Sequence, residues 1–231
     1  MTLEIRFLGA LLAVALGAQA CSKPEVSEGN AAAQAPAASA AAPMDPRAAI
    51  ADTARIMGDT AAKVWLIMAS DFQCPACKAW HDRTAPEIMR DYVATGKVRF
   101  AYTHYPIDHL HPHARAAAEA AMCAGAQGRF WAIQDGLFAA QDEWAATADP
   151  VPSFRRLAQE SGVDTVAWNR CLADDVMVPL VDADKAKGQA GGVNQTPYFF
   201  IGTRRVGGAV PASFMRVMLD SALALAGGSS R

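Results

Sequence analysis

An unbroken apolar run, Val64-Trp65-Leu66-Ile67-Met68-Ala69, stops a four-residue link short of two cysteines, Cys74-Pro75-Ala76-Cys77. Such a run reads as a strand buried on both faces. After the link Ser70-Asp71-Phe72-Gln73, a helix is expected to open at the first cysteine. A helix N-terminus carries unpaired backbone N–H groups and a partial positive charge, which favour a thiolate. Pro75 suits the first helical position, where an N–H would have no partner anyway. Cys74 is therefore expected to be an accessible nucleophile of low pKa. Cys77, one turn on, is placed to close a disulfide with it.

The pattern beyond this point sets the fold class. The helix is expected to run from Cys74 or Pro75 to about Ala94, kinked at Pro86. Gly96 stops it, and Lys97 to Tyr102 alternates polar and apolar as a second strand. Strand, helix and strand make a βαβ unit, hence a parallel pair with a right-handed crossover. Helical stretches follow over His113 to Ala126, Phe130 to Phe138, Ser153 to Ser161 and Asp164 to Ala173. Phe130, Ile133 and Leu137, like Phe154 and Leu157, have the spacing of a core-facing stripe. Tyr198 to Ile201 returns to strand, Gly202-Thr203 turns, and Arg204 to Val206 pairs back as a hairpin. A last helix is expected from Ala212 to Ala226. This order predicts an α/β protein, a thioredoxin-like fold with an inserted helical domain.

Residues 1–20 read as a signal peptide, with an apolar stretch from Leu8 to Ala20 too short to span a membrane permanently. The ending Ala18-Gln19-Ala20-Cys21 admits two readings, a signal peptidase site or a lipobox with Cys21 acylated. Either implies export into an oxidising compartment, the bacterial periplasm. Residues 21–46 are dominated by Ala, Pro and Ser, cannot bury enough apolar surface to order, and are expected to form a flexible tether. Residues 47–106 and 185–231 are assigned to the thioredoxin-like domain and 107–184 to the helical insert. A net charge of −2 gives no electrostatic case for nucleic acid. With Cys21 at the processing site, Cys123 and Cys171 remain as either a structural bridge or two buried thiols.

The segment from Ser70 to Cys77 resembles the active-site segment of DsbA-like thiol–disulfide oxidoreductases. The likeness continues through His111-Pro112-His113-Ala114, Gln127-Gly128-Arg129-Phe130-Trp131 and Gly192 to Gly202, and covers about 57–226. It implies Cys74 as attacking thiol and Cys77 as resolving thiol. It also implies a cis bond before Pro197, with Thr196, Pro197, Pro75 and Ala76 meeting a protein substrate. An extended substrate would add as a strand at Thr196. No cofactor is expected. The partners implied are protein thiols and disulfides and a membrane redox partner, with the chain a monomer. Two positions depart from the family: Met68 stands where relatives carry a buried acid, and Ala76 where a polar or aromatic residue often lies. Both point away from the most strongly oxidising potentials. Asp71 lies nearer the cysteine but in a loop, a weaker place for a proton relay.

Four alternatives stand beside this reading. A lone Cys-x-x-Cys is otherwise half of a zinc site, but no second pair is present. His104, His109, His111 and His113 crowd together as ligands would, though surface and capping roles suit them better. Finally, the dithiol motif does not fix direction. Oxidation is preferred over reduction or isomerisation because the helical insert is present and no dimerisation domain precedes the fold. A thiol-based metal carrier or chaperone is the alternative from another class.

Overall fold

A computed structural model describes residues 44–228. The signal peptide, nearly all of the tether and Cys21 lie outside the described residues. The elements in chain order are α1 (Pro46–Ala54), β1 (Ile56–Met57), β2 (Val64–Ser70), α2 (Pro75–Arg83), α3 (Ala85–Ile88), a π-helical turn (Met89–Val93) and β3 (Val98–His104). Six helices follow: α4 (Ala114–Gly125), α5 (Phe130–Ala139), α6 (Gln141–Ala145), α7 (Val151–Glu160), α8 (Thr165–Ala173) and α9 (Val178–Ala190). The chain closes with β4 (Tyr198–Ile201), β5 (Arg204–Gly207) and α10 (Ala212–Gly228).

The strands form one sheet in the order β1-β3-β2-β4-β5. Only β2 and β3 are parallel, in register from Val64 opposite Val98 to Ser70 opposite His104. The other pairings are antiparallel. Because side chains alternate across a strand, Leu66, Met68 and Ser70 share one buried face with Phe100, Tyr102 and His104. That face looks toward α2 and so underlies the dithiol.

The single kinked helix expected from Cys74 to Ala94 is instead two helices and a π-helical turn. Pro86 has no N–H to donate, and its ring would collide with the Asp82 carbonyl, so α2 ends at Arg83. Thr84 marks the break and ties it to the segment before α10, its hydroxyl donating to the Val210 carbonyl at 3.1 Å.

Two apolar clusters make up the interior. One joins the sheet to α2, α3 and α10 through Leu66, Met68, Trp80, Phe100, Phe199, Met215 and Leu219. The other gathers the helical layer around Phe130, Ile133, Leu137, Trp144, Phe154 and Trp168, and reaches Phe72, Cys74, Cys77 and Tyr102. Trp131 packs against both. Full burial of each large ring contributes about 2–3 kcal/mol. Of the three buried indoles, Trp144 donates to Leu137 at 2.8 Å and Trp168 to Ala120 at 2.9 Å, whereas Trp80 Nε1 has no hydrogen-bond partner among the described residues. A Cys123–Cys171 disulfide, with S–S 1.98 Å, joins α4 to α8.

Two helices lie at the boundaries of the proposed division of the chain. Asp45 caps α1, accepting from the Arg47 N–H at 2.8 Å, so the boundary at 46 falls on the first residue of a helix. Ala48 and Ala51 of α1 pack into the helical cluster, not against the sheet. Small side chains permit this: a Cβ at Gly125 would lie 3.5 Å from Ala51. In addition, α9 runs across the 184/185 boundary. Its Asp184 carboxylate accepts from the Arg55 guanidinium and from the His104 N–H, the latter at 2.9 Å. This ion pair, buried on both sides, holds α9 to the junction of α1 and β1, and the His104 N–H holds it to β3. Among the described residues no helix is long and apolar enough to cross a membrane.

Candidate active site

The loop between β2 and α2 is held from three directions. The Asp71 carboxylate is wholly buried; one oxygen accepts from the Gln73 N–H at 2.8 Å, the other from the Ile107 N–H at 2.8 Å. His111 Nδ1 meets the second oxygen at 2.7 Å. Gln73 reaches the start of the helical layer, accepting from the His113 N–H at 2.8 Å. Gln141 of α6 donates to the Phe72 carbonyl at 2.6 Å and the Cys74 carbonyl at 3.1 Å. Asp71 is thus an anchor of the loop. Gln141 gave no signal in sequence, since it lies 67 residues from Cys74 and becomes its neighbour only through the helical layer.

This frame sets Cys74 at the N-cap of α2 in extended conformation, with no side-chain capping bond. Pro75 is exposed in the first turn and Ala76 half-buried. Cys74 is 7 % exposed and Cys77 fully buried, and both are free thiols. Across from them the Thr196–Pro197 bond is cis, and the Thr196 carbonyl lies 3.4 Å from Cys74 Sγ. That loop leaves the end of α9. It is steadied by Tyr105, whose hydroxyl donates to Val193 at 2.8 Å, and by the Gly208 N–H, which donates to Pro197 at 2.8 Å.

The two sulfurs are electrostatically unlike. Cys74 is lowered from 9.0 to about 6, first by a hydrogen bond from the Cys77 thiol, against the opposing effect of burial. The Thr196 side chain and the N–H groups of Cys77 and Ala76 lower it further. Cys77 is pushed well up, mainly by burial and then by its neighbour Cys74. The result is one sulfur that is largely thiolate at neutral pH and one that keeps its proton. That is the asymmetry disulfide exchange requires: a nucleophile and leaving group of low pKa beside a second thiol able to close the ring.

The predicted residues separate into those gathered here and those placed elsewhere. Cys74, Pro75, Ala76, Cys77, Thr196 and Pro197 come together, whereas Cys123 and Cys171 lie within the helical layer. Surface or capping roles do not describe all four histidines. His104 is 1 % exposed, and burial holds it well below the usual imidazole range. It extends β3 two residues past the expected strand end and so inherits the buried face. His113 precedes α4, but its ring bonds the Thr147 carbonyl at 2.9 Å and does not cap the helix. Among the described residues, no group of three or more His, Cys, Asp or Glu side chains is arranged to hold a metal ion.

The thioredoxin family model matches residues 51–221. The Na(+)/H(+) antiporter NhaA 3 of Salinispora tropica is 32% identical over 184 residues, covering 80% of this chain and 26% of the antiporter. The chain therefore spans about a quarter of the length of that relative. The probable disulfide bond formation protein D of Bacillus anthracis is 29% identical over 96 residues, covering 40% of this chain and 44% of that protein. The crystal structure of Wolbachia pipientis alpha-DsbA1 superposes with a TM-score of 0.67 at 22% identity, covering 77% of this chain and 94% of that one. With its five-stranded sheet, its helical layer and a dithiol facing a cis-proline loop, the chain belongs to the thioredoxin family.

Proposed function

We propose that this protein is an exported thiol–disulfide oxidoreductase that transfers its Cys74–Cys77 disulfide to protein substrates. The observation that carries the reading is Cys74 at the N-cap of α2, lowered to about 6 beside a buried partner thiol of raised pKa. In the oxidising direction a substrate thiolate attacks Cys74 Sγ, and the Cys74–Cys77 bond breaks with its electron pair passing to Cys77. The substrate's second thiolate then attacks its own sulfur in the mixed disulfide, and Cys74 leaves as a thiolate. The low pKa of Cys74 favours that departure. An extended substrate would lie along Thr196, with Pro75, Ala76 and Pro197 beside the exchanging sulfurs. A membrane redox partner returns the dithiol to the disulfide.

The compartment proposed is the bacterial periplasm, with the chain a monomer tethered through an acylated Cys21. Without an acid at Met68 or a polar group at Ala76, the potential is expected to lie below the strongest oxidants of this type. Equilibration with glutathione buffers measures it. In cells, Cys77→Ala is expected to accumulate Cys74-linked mixed disulfides with exported proteins. If no such adducts form, and folded protein instead holds copper or zinc through both thiols, the exchange reading fails.

A further inference from the structure

Breaking the Cys74–Cys77 bond leaves negative charge on a sulfur that is fully buried. Bare burial of an anion is costly, so a donor is needed where the charge appears. Two buried hydroxyls stand behind that sulfur. Ser70 ends β2, Tyr102 lies on β3, and the pairing of Met68 with Tyr102 and Ser70 with His104 sets both on the face beneath α2. Each is 1 % exposed, and neither Ser70 Oγ nor Tyr102 Oη has a hydrogen-bond partner among the described residues. Buried hydroxyls are seldom left unpaired. Tyr102 is also fixed in place, stacked on Phe72 at 5.3 Å and set edge-on to Phe130 at 5.4 Å.

We infer that Ser70 and Tyr102 are positioning residues whose hydroxyls are reserved for the Cys77 thiolate, forming a pocket for the leaving sulfur. Ser70 donates to Cys77 Sγ when the disulfide opens, and Tyr102 donates to the Ser70 oxygen thus polarised. Burial raises Cys77, and the Ser70 hydroxyl and the Asp71 N–H act against it. Ser70 likewise acts on Tyr102, against the raising effects of burial and Cys77. In the dithiol form the Ser70 hydroxyl, on the same sheet face as Tyr102 beneath α2, is without a formed hydrogen bond. In bond terms, a Cys74–sulfur bond to the attacking thiolate forms, the Cys74–Cys77 bond breaks, and the electron pair rests on Cys77 until a proton arrives.

This inference rests on the proposed exchange chemistry, and one rate comparison tests both. Reduction of the Cys74–Cys77 disulfide by glutathione should slow about ten-fold or more in Ser70→Ala, the loss of one hydrogen bond to a charged group. Tyr102→Phe should slow it less, and Ser70→Thr should restore it. In Cys77→Ala protein carrying a Cys74–glutathione mixed disulfide, a second glutathione attacks the bound glutathione's sulfur, glutathione disulfide forms, and the leaving sulfur is Cys74 in place of Cys77. There the added Ser70→Ala change should leave the rate of glutathione attack unaltered. A Ser70→Ala rate within two-fold of wild type overturns the inference. So does equal slowing of both reactions, which would mean general damage to the site, or a threonine variant as slow as the alanine. A wild-type disulfide inert to glutathione defeats the exchange chemistry itself, and this inference with it.

Discussion

The lowered pKa of Cys74 makes the reduced protein more stable as pH rises, and the size of the effect follows from the shift. An acid whose folded pKa falls from 9.0 to about 6 contributes stability that is complete above the unfolded value and lost as pH falls through the folded one. That linkage amounts to about 1.4 kcal/mol at pH 7 and about 2.7 kcal/mol at pH 8, and is close to nil at pH 5. Stabilising the dithiol by about 1.4 kcal/mol makes the disulfide more oxidising by about 30 mV. Cys77 adds nothing in this window, because its raised pKa acts only above 9.0. The opposite shifts of His81 (raised by its carboxylate partners) and His104 (lowered by burial) also make stability depend on pH, so the informative quantity is a difference between proteins. Urea unfolding of reduced wild type and Cys74→Ala should diverge by about 2.6 kcal/mol between pH 5 and pH 8, with unchanged m-values. Alkylation of Cys74 should follow a thiolate midpoint near 6, moving upward in Cys77→Ala, which removes the largest lowering influence. Parallel stability curves, or an alkylation midpoint near that of a free thiol, would refute the reasoning.

Three further outcomes are expected. Asp184→Ala leaves the Arg55 guanidinium, which is 5 % exposed, with only the half-exposed Asp52 as partner, and frees the His104 N–H. The loss should be about 3–5 kcal/mol in urea unfolding, whereas replacing both charges, Arg55→Met with Asp184→Leu, should recover most of it. Removing the Cys123–Cys171 bridge with paired alanines frees a loop of 48 residues and should cost about 4 kcal/mol by chain entropy, measured against the oxidised wild type. Glutathione exchange at Cys74 should persist in that variant. His81 contacts Asp135 and Asp82, each at 2.9 Å, joining α2 to α5; burial lowers its pKa, but the two carboxylates raise it on balance. Its stabilisation is complete below the unfolded value of 6.5 and lost as pH rises through the higher folded value. His81→Gln should therefore lower Tm more at pH 5.5 than at pH 8.5.

The parts of the site legible in sequence were those encoded locally. The apolar run, the proline after Cys74 and the cysteine spacing together specify a buried strand feeding a helix N-terminus, and the structure has both. The split at Thr84 was readable only as a kink, since proline dictates that the helix breaks but not how the chain continues. Helix α9 escaped notice because Val178 to Ala190 has little apolar periodicity. It is kept in place by the long-range contacts of Asp184. His104 was misread for a related reason: one residue's exposure depends on where its strand ends, and β3 ran on to meet Ser70.

By itself, then, the sequence determined that two thiols stand at a helix start, one turn apart, in a chain that returns to sheet near Thr196-Pro197. What the thiols experience was decided by tertiary structure. The helical layer and sheet exclude water from Cys77, the cis-proline loop brings a carbonyl to Cys74, and Gln141 and Asp71 fix the loop between them. Nearest-neighbour spacing cannot encode these effects, because desolvation and hydrogen bonding depend on groups brought in from 36 to 122 residues away. That is why equal cysteines in the sequence become unequal sulfurs in the fold.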